Sequence, residues 1–159
     1  MRVNRFAFAG LAMACLFSAR VAAGESCKTF FGNFTAVPPA VCPSPVGICT
    51  HGTLTGGFPS TYDFVMDTLV PTLVPGVFAY TGHSLIGSAT GTLSGADSGF
   101  LQMTGPTSAS FVTVVRILSG TGAFTGATGG IVAPGKLDFV TGGTVGTYSG
   151  AVCTPGTDD

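Results

Sequence analysis

The sequence has no tryptophan, and only 8% of its 159 residues are charged. Lysine, glutamate and glutamine, which are among the better helix formers, are nearly absent after residue 24. Glycine, threonine and serine dominate this part of the chain. Because strands favour threonine, valine and aromatic residues, and turns favour glycine and serine, we predict an all-β fold.

Strong catalytic and cofactor-binding motifs are also lacking. The chain contains no Gly-x-Ser-x-Gly nucleophile elbow. Its glycine-rich segment at 120–130 lacks the lysine and the following helix that a phosphate-binding loop needs. The cysteines are not in the close pairs typical of zinc sites. We therefore predict neither a metal nor an organic cofactor.

The first 23 residues have the three parts of a secretory signal peptide. Arg2 and Arg5 supply the positive charge, and an apolar run over 6–19 follows them. This run is too short to span a bilayer as a helix. Val21 and Ala23 are small residues in the positions that precede a cleavage site. The sequence therefore predicts a secreted or periplasmic protein that begins near residue 24.

Removal of this segment makes the remaining chain acidic. Arg2, Arg5 and Arg20 leave with it, so that three basic residues remain against seven acidic ones and the net charge becomes −4. Proteins that bind nucleic acid or anionic membranes need a positive surface to neutralise phosphate. We therefore expect no nucleic-acid partner.

Four cysteines remain, which is an even number in a chain predicted to be exported, and this indicates disulfides. Three pairings are possible. The segment between Cys42 and Cys49 contains two prolines and a glycine and can turn back on itself. We favour Cys42–Cys49, which leaves Cys27–Cys153 to join the two ends of the domain.

Glycine and proline divide the chain after residue 46 into short strands. Residues 24–45 contain four prolines and are predicted to be irregular, 46–153 to form the β domain, and 154–159 a tail. Short connections favour antiparallel neighbours, so the pattern predicts a barrel or a sandwich. The candidate strands are 47–56, 60–70, 76–87, 89–95, 98–104, 109–119, 123–133, 136–141 and 144–153.

Four glycine-rich segments carry a family resemblance: Cys49–Gly56, Gly91–Asp97, Ser119–Gly129 and Gly146–Cys153. Their order resembles the small exported proteins of the allene oxide cyclase barrel-like group, which is related to the plant dirigent proteins. The resemblance covers roughly residues 46–153, and its most specific element is Gly-Thr-Gly-x-Phe-x-Gly-Ala-x-Gly at 120–129.

This resemblance implies an eight-stranded antiparallel β-barrel of calycin- or lipocalin-like architecture, whose lumen holds a small apolar molecule. Allene oxide cyclases close a reactive epoxide into a ring, and dirigent proteins direct the stereochemistry of phenolic coupling. The plant cyclases use a buried glutamate, whereas Glu25 is the single glutamate here and precedes the barrel. No catalytic residue is therefore transferred from them.

The few charged residues of the β domain are the candidate catalytic groups. Alternation along one strand puts Asp63 and Asp67 on one face, where two carboxylates can form an acid–base pair or a solvated outer surface. Arg116 lies in the apolar run 111–118 and either faces the lumen, where it stabilises an anion, or forms a structural ion pair. Our candidates are Arg116, Asp63, Asp97 and Tyr80 for catalysis, and Tyr62, Phe64, Phe78, His83 and Phe111 for ligand binding.

These features predict a secreted barrel that binds a small apolar molecule and acts as a cyclase, an isomerase or a dirigent-like protein. Two alternatives remain open: a non-catalytic structural or interaction module, and a lipocalin-like carrier that binds without turnover. The segment 111–118 is apolar on both faces, which is typical of a strand covered by a partner subunit. We therefore expect a homo-oligomer, either a trimer or a dimer.

Overall fold

Eight antiparallel strands follow one another around a closed barrel in the computed structural model, which describes residues 24–156. Each strand pairs with the next, and the last pairs with the first. Within 24–156 the one helical segment is a 3₁₀ turn at Gly122–Phe124, and no helix there is long and apolar enough to cross a membrane. The strands are β1 (Ser26–Val37), β2 (Cys49–Gly56), β3 (Ser60–Pro71), β4 (Val77–Ser88), β5 (Gly91–Gly105), β6 (Ser108–Gly120), β7 (Thr128–Asp138) and β8 (Thr144–Thr154).

The predicted eight-stranded barrel is confirmed, although its first strand lies where we expected irregular structure. Strand β1 occupies most of 24–45 and pairs with both β2 and β8. Phe30, Phe34 and Ala36 point into the core, and the residues between them are exposed or partly exposed. The prolines that suggested a loop begin only at Pro38, after the strand has ended. The predicted signal peptide at 1–23 and the last three residues lie outside the described residues.

Two pairs of predicted strands are continuous in the structure, because the breaks that we expected at 96–97 and 134–135 lie within β5 and β7. Gly99 lies inside β5, and a Cβ there would come within 2.7 Å of the Tyr80 hydroxyl. Gly135 lies inside β7, and a Cβ there would come within 2.6 Å of the Phe111 ring. Glycine in a strand commonly marks such a close approach. These glycines make room for the aromatic rings of the core.

The core has two clusters of inward-facing side chains. One contains Phe30, Phe34, Leu93 and Tyr148 and includes the end of the barrel where the chain termini lie. There Phe58 stacks on Phe30 with ring centroids 5.1 Å apart, and Phe124 meets Phe58 edge-on at 5.6 Å. The second cluster lies towards the other end and contains Met66, Tyr80, Ala109, Leu101 and Leu137.

Both predicted disulfides are confirmed. Cys27 and Cys153 lie opposite each other in the β1–β8 ladder, and their bond links the first and last strands. Cys42 and Cys49 join the β1–β2 connection to the first residue of β2. Disulfides persist in oxidising compartments, so both bonds fit an extracellular protein.

We predict that the Cys27–Cys153 bond contributes more to stability than the Cys42–Cys49 bond. The first closes a loop with a sequence separation of 126 residues and the second one of only 7. Loop-closure entropy gives about 5 and about 2 kcal/mol, respectively, as upper values. Urea unfolding of C27S/C153S and C42S/C49S should show this order. Equal losses from the two double variants would contradict it.

Candidate functional site

A cavity of about 100 Å³ lies inside the barrel, between inward-facing side chains from all eight strands. Its wall is mainly apolar and aromatic. A few polar side chains interrupt it near the middle of β4, β5 and β6. The residues that line it are Phe34, Ile48, Thr50, Leu54, Tyr62, Phe64, Met66, Tyr80, Ser84, Ile86, Asp97, Leu101, Phe111, Thr113, Val115, Ile131, Ala133, Leu137, Thr144 and Tyr148.

Among the described residues of this wall, Asp97 is the one with a side chain that can carry a full charge near neutral pH, and it is only 4% exposed. The hydroxyl of Ser84 donates a hydrogen bond to Asp97 Oδ1 over 3.0 Å. The other carboxyl oxygen, Oδ2, is buried and has no hydrogen-bond partner among the residues that the structure describes. A buried polar atom without a partner costs free energy, so this oxygen is suited to receive a hydrogen bond from a bound molecule or a water.

Burial raises the pKa of Asp97 to about 7, because the apolar surroundings disfavour the charged carboxylate. The Ser84 hydrogen bond and the nearby His83 lower this pKa, and Asp67 raises it. His83 and Asp67 act through the barrel wall, since both are exposed on its outer face. Near neutral pH Asp97 is therefore present in both its protonated and its ionised form.

Two tyrosines complete the polar part of the lumen. Burial raises the pKa of Tyr80 to about 12; Thr113, which shares a hydrogen bond with the tyrosine hydroxyl, lowers it, and Asp97 raises it. Burial also raises the pKa of Tyr62, with Thr144 and Thr50 acting in the opposite direction. Both phenols therefore keep their protons at neutral pH and can donate hydrogen bonds.

This arrangement suits a largely apolar molecule that carries an oxygen function. The apolar wall excludes water and strengthens each hydrogen bond formed inside. A carboxyl group with a pKa near the working pH can give or take a proton, which is the property a general acid or base needs. The described lining contains no lysine, histidine or cysteine that would act as a nucleophile.

Five of the residues predicted from the sequence line the cavity. Asp97 and Tyr80 come from β5 and β4, Tyr62 and Phe64 from β3, and Phe111 from β6. Alternation along the strands brings them to one face, because residues two apart in a strand point the same way. The structure therefore brings these five side chains together in the lumen, and their catalytic and binding roles stay predictions.

Two other predicted catalytic residues lie outside the barrel, which corrects our expectation. Arg116 is exposed on the outer face of β6, between Ala96 and Gly130 of the neighbouring strands. It is an odd number of residues from the inward-facing Phe111, so the two must point to opposite sides. Asp63 is exposed as well and pairs with His51 at 2.7 Å.

The prediction of ligand-binding roles for His83 and Phe78 also needs correction. His83 is three residues from the inward-facing Tyr80, and it therefore points outwards, where it pairs with Asp67 at 3.1 Å. Phe78 packs against the second core cluster but does not reach the cavity wall. Exposed contacts between histidine and aspartate such as these two contribute little to stability.

Sequence reasoning missed several polar residues of the site. Ser84, Thr113 and Thr50 line the lumen, although nothing distinguishes them locally from the many other hydroxyl residues of the chain. Ser84 and Tyr80 are four positions apart on β4, so their side chains point to the same face. This even spacing is the signal in the sequence that could have identified Ser84. Ile48 could not be found in this way, because it precedes β2.

A group of potential metal ligands lies at the barrel end that carries the termini. Ligand atoms of Glu25, Cys27 and Cys153 lie within 4.8 Å of one another. Both sulfur atoms belong to the same disulfide, and metal binding by cysteine requires a thiolate. This group therefore supplies one carboxylate and no thiolate.

Neither a protein-family model nor a curated protein matches the sequence. Among solved structures, the chain aligns with the pterocarpan synthase dirigent protein at a TM-score of 0.49 and 17% sequence identity. The alignment covers 82% of this chain and 92% of that chain. At these values the likeness carries no conclusion about family or activity, and the barrel assignment follows from the strand pairing itself.

We predict that D97N removes a pH dependence of stability. The native pKa of about 7 lies above the ordinary value of 3.8, so the native state holds this proton more tightly than the unfolded state does. The stability of the natural chain should therefore fall as the pH rises from about 4 to about 8, by up to about 4 kcal/mol relative to D97N. Urea unfolding of both proteins across this range measures the gap. A gap that stays constant would show that Asp97 keeps its ordinary pKa.

Proposed function

We propose that this protein binds a small, largely apolar molecule with one oxygen function in the lumen of its barrel, and holds it in a fixed orientation against Asp97. The observation that supports this most directly is the buried carboxyl oxygen Oδ2 of Asp97, a residue of the cavity wall, because this atom has no hydrogen-bond partner within residues 24–156. A hydroxyl or a water hydrogen-bonds the ionised form, and a carbonyl accepts a hydrogen bond from the protonated form.

The chemistry of such a site depends on shape and on one proton. Aromatic rings of Phe34, Phe64 and Phe111 limit how a planar molecule lies in the lumen. Asp97 then gives a proton to the ligand or takes one from it, and the Tyr80 phenol, with its pKa of about 12, remains a hydrogen-bond donor. In this proposal the barrel directs a cyclisation, an isomerisation or a coupling of a reactive intermediate, as cyclases and dirigent proteins do.

The size of the cavity limits the ligand. Its volume of about 100 Å³ is below the roughly 150 Å³ of an engineered cavity that binds benzene. A one-ring ligand therefore requires some side chains of the wall to move. Met66 is a suitable candidate, because its unbranched side chain adapts easily to a new shape.

Self-association is the second part of the proposal, and it rests on an exposed apolar surface of β5, β6 and β7. Phe100 lies opposite Val112, and Val114 lies opposite Val132. These four side chains are 43–60% exposed, and together they form a continuous outer patch. Monomeric proteins seldom expose such patches, so we propose that a second copy of the chain covers it in a dimer or trimer.

We also propose that the protein works outside the cytosol. Two disulfides and an acidic net charge after residue 23 are consistent with an exported, soluble ligand-binding domain. Mass determination of the protein from its native host would test whether the chain begins near residue 24.

The lumen proposal predicts that A133L strongly reduces ligand retention while A96L does not. Ala133 lines the cavity, where a leucine would fill the free space, whereas Ala96 lies outside the lumen on β5 beside Arg116. Incubation with phenolic and lipid extracts, followed by mass spectrometry of retained compounds, should give about tenfold less ligand for A133L. Equal retention by A133L and the natural chain would contradict lumenal binding.

The same experiment separates turnover from carriage. We expect D97N to bind the retained compound less tightly, by about tenfold, because a hydrogen bond to a buried carboxyl group is lost. A compound recovered in rearranged form, at a rate that D97N lowers, would indicate an enzyme or a dirigent-like protein. A compound recovered unchanged would indicate a carrier.

For self-association, the test variant is V114D, with T35D on the exposed face of β1 as its control. Light scattering should show a dimer or trimer for the natural chain and for T35D, and a monomer for V114D. The reason is that a carboxylate in the centre of the apolar patch would have to be desolvated on association. A natural chain that is monomeric at every concentration would contradict the proposal.

A further inference from the structure

The wall of the cavity has one part that is not strand. Among residues 24–156, every residue that lines the cavity lies on a strand except Ile48. Ile48 ends the connection between β1 and β2, a segment of residues 38–48 that we call the strap. Most of the strap is exposed, and Ile48 is partly buried against the second core cluster.

We propose that the strap is the entrance to the lumen, and that the Ile48 side chain decides which molecules pass. This inference rests on the proposed binding of a small molecule in the lumen. To that binding it adds a route by which the ligand enters, a residue that selects ligands by size, and a disulfide that holds this residue in place.

The strand wall and the opposite end of the barrel are both closed. Each strand is hydrogen-bonded to two neighbours around the closed barrel, so opening between strands would break several backbone hydrogen bonds at once. The opposite end is filled by the packed rings of Phe30, Phe58 and Phe124. The Tyr148 hydroxyl ties this end together, since it donates to Thr55 O at 3.1 Å and accepts from Phe58 N at 3.1 Å.

The strap, by contrast, is attached to the barrel at few points. Met66 N donates to Ile48 O over 3.0 Å, and the Ser44 hydroxyl donates to Met66 O over 2.5 Å. The third attachment is the Cys42–Cys49 disulfide, which fixes the strap to the first residue of β2. Loss of two hydrogen bonds and a small shift of Ile48 therefore uncover the lumen without breaking any strand pair.

The disulfide has a definite role in this arrangement. It confines Ser44 and Ile48, the two residues that hydrogen-bond to Met66, within a short covalent loop. Fewer alternative conformations are available to a chain closed in this way. The bond therefore keeps Ile48 over the cavity, and its removal should make the entrance open more often.

The probe for the entrance is 4-fluorophenol, a one-ring compound with one hydroxyl group, observed by fluorine NMR. Exchange between free and bound probe should be about tenfold faster in I48A than in the natural chain, because the side chain over the cavity is shortened. C42S/C49S should also speed the exchange. The matched controls are F58A, at the opposite end, and C27S/C153S, which lacks the other disulfide; neither should change the rate more than about twofold.

A size series separates the selecting role of Ile48 from a general loosening. We expect I48A to admit 6-fluoro-2-naphthol, a two-ring probe that the natural chain excludes, while I48V binds 4-fluorophenol as the natural chain does. Faster exchange in F58A than in I48A would place the entrance at the opposite end and overturn the proposal. An unchanged rate in both I48A and C42S/C49S would overturn it as well.

Hydrogen exchange of the Met66 amide provides a readout that needs no ligand. This amide donates to Ile48 O, so its exchange reports the opening of the strap. In C42S/C49S it should exchange about tenfold faster than in the natural chain, with the amides of β5 unchanged. Met66 exchange that occurs only together with β5 would overturn the proposal. A further outcome is that no variant binds a probe while the Met66 amide exchanges as expected. That result would support opening of the strap and contradict the proposed binding in the lumen.

Discussion

Closure of the sheet by β1 is the constraint on which the rest of this structure depends. Strand β1 pairs with β8 over most of its length and with β2 at its second half, so that no strand is left with a free edge. A closed sheet has an inside and an outside, and alternation then assigns each side chain to one of them. The Cys27–Cys153 bond reinforces the same junction with a covalent link.

The properties of Asp97 follow from this closure. Of the six charged residues between β2 and β8, it is the one whose side chain is buried, and its neighbours in the wall are mainly apolar. A carboxyl group in such surroundings binds its proton more strongly than in water. The described lining of the lumen contains no positively charged side chain that would hold this carboxyl group ionised. The scarcity of charged residues in the sequence therefore bears directly on the protonation of Asp97.

Much of the fold could be predicted from the sequence, because it depends on local signals. Composition indicated strands, the even number of cysteines indicated disulfides, and the proline-rich loop between Cys42 and Cys49 indicated which cysteines pair. The site was only partly predictable. Five predicted residues lie in the lumen: Asp97, Tyr80, Tyr62, Phe64 and Phe111. Three others lie outside it: Arg116, Asp63 and His83. The sequence alone did not show which of the two alternating faces of each strand points inwards.

The amino-acid sequence by itself determined that this chain forms antiparallel strands joined by disulfides, because strand propensity and turn residues are encoded locally and the cysteines are even in number. The closed barrel was implied by the resemblance of its glycine-rich segments to a known family. Tertiary structure alone decided which of the scarce charged groups is enclosed, because burial depends on the register of neighbouring strands and on closure by β1. It also decided that Ile48, a residue outside every strand, completes the wall of the lumen. That position results from the hydrogen bond of Ile48 O to Met66 N, which places the end of the strap beside β3 and which no local pattern specifies.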